Sequence, residues 1–224
     1  RLVWQNPLLG IGLALIAVIF LLGYVGYLFV DTNEALVGAV KPRLHPSAAH
    51  LFGTDTQGRD VFTVVVLAIP QTMKITFIAA SIGLGLGVLL ALLSGYFGGI
   101  VDAVIRICSD VMITIPGIAF MIILATNIHT MTVELMALVV AGLAWMGPTR
   151  AMRAQVLTVR ERGYIEVARL NGVKGLELVL REMLPNLLPF LASSFVGAAS
   201  GAMLASVGIE ALGLGPQNQF TVGM

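Results

Sequence analysis

PTRAMRAQVLTVRERGYIEVARLNGVKGLELVLREMLP, residues 148–185, is a basic insert between two charge-free apolar runs. It holds Arg150, Arg153, Arg160, Arg162, Arg169, Lys174 and Arg181, seven of the 13 Lys and Arg residues in the chain. Cations concentrated between two stretches that partition into hydrocarbon mark a loop that stays on the cytoplasmic side of a membrane. The insert therefore predicts a polytopic membrane protein and fixes its orientation. A cruder role for the same cations, attraction to anionic headgroups, leaves the helical pattern inside the insert unexplained.

Outward from the insert the composition agrees. The chain of 224 residues is 58% hydrophobic and 11% charged, against roughly 25% charged in soluble domains. Charge-free runs cover Leu8 to Val30, the stretch between Lys74 and Asp102, that between Asp110 and Glu134, Leu135 to Thr149, and Met183 to Ile209. Backbone groups in lipid must be satisfied within the segment, so these runs are helices unless a barrel closes. Period-2 alternation is absent, which excludes the barrel. Five spans are readable, the fourth short enough to borrow the turn before Glu134. Counting back from the insert puts the N-terminus in the cytoplasm and Asp31 to Thr72 outside. The expected organisation is an N-terminal segment and first span over 1–30, an outer loop over 31–74, and a core over 75–224.

Inside the insert, Arg150 to Arg162 reads as a polar helix leaving the membrane and Tyr164 to Asn171 as a second, short one. Gly172 stands where a helix C-terminus needs positive φ. Leu176, Val179, Leu180 and Met183 follow the i, i+3, i+4, i+7 rule of one apolar face. Pro185 then opens the next span, where its missing N–H costs little. A short rigid helix held between two spans suits a protein that receives force from a soluble partner through a groove.

At these residues a resemblance becomes specific. Glu166-Val167-Ala168, then Gly172, then Leu184-Pro185 resembles the EAA loop of ATP-binding-cassette importer permeases, with Val167 in place of the usual Ala. His50-Leu51-Phe52-Gly53-Thr54-Asp55-Thr56-Gln57-Gly58-Arg59-Asp60-Val61 resembles the HxxGTDxxGRDV signature of the C-type subunit in the peptide and nickel group of such permeases. Gly95 to Gly99 with Asp102, Arg106, Asp110 and Pro116, and Leu212 to Gly215 with Gln217, resemble two further blocks of that group. Together they cover about residues 50 to 224 in family order.

The resemblance implies an all-α membrane protein, a polytopic helical bundle of the type I importer permease class, with a sixth span expected beyond Met224. It implies alternating access for oligopeptides or dipeptides, with oligosaccharides or nickel as the alternative cargo. It implies a second homologous permease subunit forming a heterodimer, two ATP-binding subunits that hold ATP and Mg, an extracytoplasmic substrate-binding protein, and residence in the inner membrane with the EAA loop at 148–186 cytoplasmic. It also implies that Tyr164, Glu166, Ala168, Arg169 and Gly172 form the coupling helix that docks on the ATPase. Glu166 would supply a polar contact, Ala168 close packing and Gly172 a sharp turn. One departure concerns cargo. Ser206 stands where the family has Glu, and Glu210 where it has Ser, which puts a peptide substrate in question.

Residue by residue, other chemistry is thin. No Walker-type GxxxxGK[ST] occurs, so ATP is expected on partner subunits and no cofactor on this chain. No catalytic constellation and no nucleic-acid footprint is visible at a net charge of +1. An ion-coupled secondary transporter would bury ionisable groups mid-span, and the charge-free runs have none. A haem or quinone protein would need histidines, but His129 lies at the outer end of its run. Asp55, Arg59 and Asp60 suggest a cation site, yet Arg59 bridging the carboxylates between the turn residues Gly53 and Gly58 is the stronger reading, so no metal site is expected. His45, His50 and His129 lack ligand spacing. Asp102, Arg106 and Asp110 share one helix face by their i, i+4, i+8 spacing, fitting either an interfacial clamp or plain anchoring. Gly83 and Gly87 read as helix packing. The stripe of Ser193, Gly197, Gly201 and Ala205 fits packing or a moving subunit interface, and Ser206 joins it as a candidate for the translocation path. Cys108, the single cysteine, reads as an inert packing residue.

Overall fold

A computed structural model describes residues 7–173, 175–216 and 220, with the side chain of Leu176 left aside. Lys174, Gln217 and Met224, named above, lie outside the described residues.

The first charge-free run forms α1, Pro7–Tyr24, followed by two 3-10 turns, Gly26–Phe29 and Thr32–Ala35. Almost all of α1 is exposed, as expected where lipid is the solvent. It touches the rest through Gly23, where an added Cβ would lie 2.5 Å from Ile69 Cγ2. Next comes α2, Val61–Phe97, 37 residues long. At 1.5 Å per residue it reaches about 55 Å, well beyond a hydrocarbon core of about 30 Å. It begins 13 residues before Lys74, so about the last third of the expected 31–74 loop is helix. Asp60 starts it, accepting the amide of Thr63 at 2.8 Å.

The run between Asp110 and Glu134 is not one straight span, since it takes in the last turn of one helix and the whole of the next. Helix α3, Gly99–Thr114, and helix α4, Gly117–Thr126, meet at 82°. Pro116 explains the break, because the residue before a proline is forced out of the helical region and Ile115 sits at φ −75, ψ 128. The fourth run forms α5, Val133–Ala144, capped by the Thr132 side chain. It bends by 43° at Trp145 into α6, Met146–Arg160. The segment expected to act in coupling forms α7, Gly163–Leu170. A helical turn, Leu176–Leu178, and a π turn, Val179–Met183, lead into α8, Leu184–Glu210, with Pro185 in its first turn. Among the described residues three helices are long and apolar enough to cross a membrane, or up to five spans if each bent pair counts once. Among the described residues there is no strand, only one isolated antiparallel bridge from Thr54 to Asp60.

Two buried clusters sit along α2. One joins Ile75 and Ala79 of α2 to Met136, Val140, Ala202 and Ile209 from α5 and α8. The other joins Ala91 to Met152, Val156, Ile165, Leu178, Val179, Met183 and Leu187 from α6, α7, the helical turn, the π turn and α8. The helix spacing predicted inside the insert is corrected here. Leu180 is 49% exposed while Leu178 is buried, because a π turn adds a residue to the repeat and rotates the apolar face.

Candidate functional site

The insert folds into an elbow. Along α7, Ile165 is fully buried and Ala168 partly so, both in the cluster with Val156, Leu178 and Met183. Fully burying one such aliphatic side chain contributes about 1.5–3 kcal/mol, enough to pin a helix of two turns that would not persist alone. The opposite face is open: Tyr164 is 40%, Val167 57% and Leu170 82% exposed, and Glu166 and Arg169 are exposed beside them. Gly172 ends the helix at φ +87, and its amide donates to Arg169 O at 3.0 Å.

Of the expected coupling residues, Tyr164, Glu166 and Arg169 thus face outward, whereas Ala168 packs inward against its own chain. Val167 and Leu170, which the sequence reading did not single out for this face, share it. Their signal was a pair of apolar residues three apart on the face opposite Ile165.

Upstream, α6 is fastened to α2 and α3. Arg153 grips Asp102 with two parallel bonds, Nε to Oδ1 at 2.5 Å and Nη2 to Oδ2 at 2.6 Å. Ser94 of α2 donates to the same carboxylate, and Arg153 Nε lies 3.2 Å from Ser94 Oγ. Bidentate Arg–carboxylate pairs fix orientation as well as adding energy. Two turns on, Arg160 Nη1 donates to Gly95 O at 2.9 Å. Gly95 has no room for a side chain: an added Cβ would lie 2.1 Å from Val156 Cγ1.

The shared face of Asp102, Arg106 and Asp110 therefore points at α6. Asp102 and Asp110 take partners from there, Arg150 being 3.9 Å from Asp110. Spacing within one helix could not show that. Cys108 is exposed on α3, so it is not a packing residue of this chain.

The outer loop is a separate construction. Asp55 Oδ1 accepts the amides of Gln57 at 2.8 Å and Arg59 at 2.9 Å, and Arg59 Nε donates to Oδ2 at 2.6 Å. Burial pushes the Asp55 carboxyl upward, but these amides and the Arg59 guanidinium outweigh it and hold the pKa below its ordinary value. Asp60 works apart from this clamp, capping α2 and meeting His50 Nδ1 at 3.1 Å. Gly53 and Gly58 sit at φ +72 and +71, and a Cβ on either would fall 2.4 Å from a carbonyl oxygen, of Leu44 and Val40 respectively. Both the backbone conformation and the space exclude other residues.

The small-residue stripes diverge. Gly83 and Gly87 press on Ala144 and Pro148, with an added Cβ at 2.6 Å and 2.8 Å. Gly197 and Gly201 have nothing within 4 Å of the same position. With Ser194, Ala198 and Ala205 they line one side of an open groove of about 450 Å³, faced by Leu143, Ala144 and Gly147. Ser193 is exposed on the same helix, whereas Ser206 is fully buried, its hydroxyl donating to Met203 O at 3.0 Å.

Comparison with known proteins adds the following. Residues 83–223 match the family described as binding-protein-dependent transport system inner membrane component. The chain is 32% identical over 224 residues to the probable D,D-dipeptide transport system permease protein DdpC of Escherichia coli, covering 97% of this chain and 74% of the relative. It is 30% identical over 215 residues to the dipeptide transport system permease protein DppC of Alkalihalophilus pseudofirmus, covering 95% and 70%. It is 26% identical over 213 residues to the oligopeptide transport system permease protein OppC of Lactococcus lactis subsp. cremoris, covering 94% and 72%.

Proposed function

The chain belongs to the family of binding-protein-dependent transport system inner membrane components, the multi-pass permease subunits of ATP-binding-cassette importers, and we propose that it forms half of a path for dipeptides or oligopeptides, driven by ATPase subunits that dock on α7. The observation that carries this is the two-sided character of α7. Ile165 anchors it from within, while Tyr164, Val167 and Leu170 present an apolar ridge to the outside with Glu166 and Arg169 beside it. Such a face, on a helix pinned to the membrane bundle, fits a groove on a soluble partner.

ATP and Mg belong to those partners, and this chain performs no catalysis. Nucleotide binding shifts α7, and the Arg153–Asp102 and Arg160–Gly95 contacts carry the shift into α2 and α3. The response is a movement between two states, not a continuous deformation. The insert and the N-terminus are cytoplasmic and the 31–60 loop faces the substrate-binding protein. The open groove along Gly197 and Gly201 receives the second permease subunit, whose helices approach closely over residues without side chains.

Peptide cargo is favoured over oligosaccharide or nickel. The relatives named above are peptide permeases, and the Ser206 and Glu210 exchange that questioned peptides lies inside. Ser206 is 0% and Glu210 4% exposed, away from the groove, with Glu210 packed against Gly215. The test is uptake by the transporter reconstituted in vesicles with its ATPase subunits and binding protein. ATP-dependent uptake of a labelled peptide, competed by unlabelled peptides, supports the proposal. Competition by oligosaccharides or nickel in place of peptides overturns the cargo assignment.

A further inference from the structure

Three segments of the outer loop converge beside the start of α2. Glu34 comes from the 3-10 turn Thr32–Ala35, His50 from the tip of the following loop, and Asp60 from the start of α2. One ligand-type atom from each lies within 4.8 Å of the other two. We infer that Glu34, His50 and Asp60 bind a divalent first-row transition cation of the zinc type, which staples the outer loop to the N-terminus of α2.

The donor set selects the metal class. One imidazole and two carboxylates suit zinc, manganese, iron or cobalt. Calcium is disfavoured, because it takes six to eight oxygens. The spacing agrees. Ligands about 2.0–2.1 Å from a tetrahedral ion lie roughly 3.3 Å apart, and His50 Nδ1 is 3.1 Å from Asp60 Oδ1. A cation between them would exchange that hydrogen bond for two coordinate bonds. It would also offset the repulsion of two carboxylates brought within 4.8 Å of each other, one of them only 3% exposed.

The site is built before an ion arrives. Asp60 N donates to Glu34 O at 2.9 Å, and the amides of Ser47 and Gly53 both donate to His50 O at 2.9 Å. Asp60 Oδ2 is occupied by the Thr63 amide, which orients Oδ1 toward His50. Three protein donors leave a fourth position open for water. The sequence hid this arrangement, because the donors are separated by 16 and 10 positions, outside any short metal-binding spacing.

The test uses the assembled transporter in nanodiscs, dialysed against buffered zinc and counted for bound metal. Two variants separate ligation from folding. Glu34→Gln leaves the His50–Asp60 bond and the cap of α2 untouched. His50→Asn keeps an amide in hydrogen-bonding reach of Asp60 but removes the imidazole. The wild-type assembly should hold one zinc more than either variant, with apparent affinity at least tenfold higher. Zinc should slow proteolytic cleavage of the 36–52 loop in wild type alone. Equal zinc content in all three proteins, or equal protection of the loop, overturns the proposal.

Discussion

Replacing Arg153 with methionine tests the join between the coupling elbow and the bundle. The change keeps much of the side-chain volume but removes the two charge-assisted bonds to Asp102. Asp102 would be left with Ser94 as its remaining partner at this junction. Hydrogen bonds to charged groups contribute about 1.5–3 kcal/mol, and breaking one partner of a fully buried pair costs about 3–5 kcal/mol. These side chains are 25% and 22% exposed, so water recovers part of that loss, and a cost of about 2–3 kcal/mol is expected. Asp102→Asn should cost a similar amount and Arg153→Lys about half, since an ammonium cannot bond both oxygens in parallel. The double variant should be less destabilised than the sum of the singles, giving a coupling energy of about 1.5 kcal/mol or more. The assay is unfolding of the reconstituted protein by denaturant, read beside ATP hydrolysis and uptake. Because α7 itself is untouched, Arg153→Met should keep ATPase association while uptake falls more than tenfold. Additive energies, or full uptake in both single variants, would refute the view that this pair transmits motion.

Two further outcomes follow from close contacts elsewhere. Gly95→Ala places a methyl group 2.1 Å from Val156 Cγ1 and should destabilise by about 1–3 kcal/mol through overpacking. Val156→Ala in the same chain should recover much of it, measured as thermal unfolding of the purified assembly. In the outer loop, the Asp55 carboxyl is held below its ordinary pKa of 3.8. Its contribution to stability is therefore complete above that value and is lost as pH falls below it toward the folded pKa. Amide hydrogen exchange at Gln57 and Arg59 should accelerate over that window, and Asp55→Asn should make it fast already at neutral pH. Unchanged exchange in the variant would contradict the clamp.

How legible these features were depended on whether they are local. The EAA-like loop was readable because Gly172, Pro185 and the spacing of apolar residues act within a few positions. The outer turn was readable because only glycine fits at positions 53 and 58. The Arg153–Asp102 pair was not readable, since its partners stand 51 positions apart and only helix packing joins them. The bend at Pro116 was overlooked for a different reason. Hydropathy counts apolar residues without regard to backbone direction, so the last turn of α3 and the whole of α4 read as one run. The buried face near the π turn was misplaced by the extra residue per turn. Likewise Ser206 shares a helix with Gly197 and Gly201 but lies on its inner side, a distinction that a run of small residues cannot make.

Docking of α7 on an ATPase subunit is measured most directly by site-directed cross-linking. With Cys108 first replaced by serine, single cysteines at Val167 and Leu170 should cross-link to the ATPase subunit in the assembled transporter. A cysteine at Leu204, 74% exposed on α8, should not. Cysteines on α7 that form no adduct and stay fully reactive toward a water-soluble maleimide in the active assembly would contradict it.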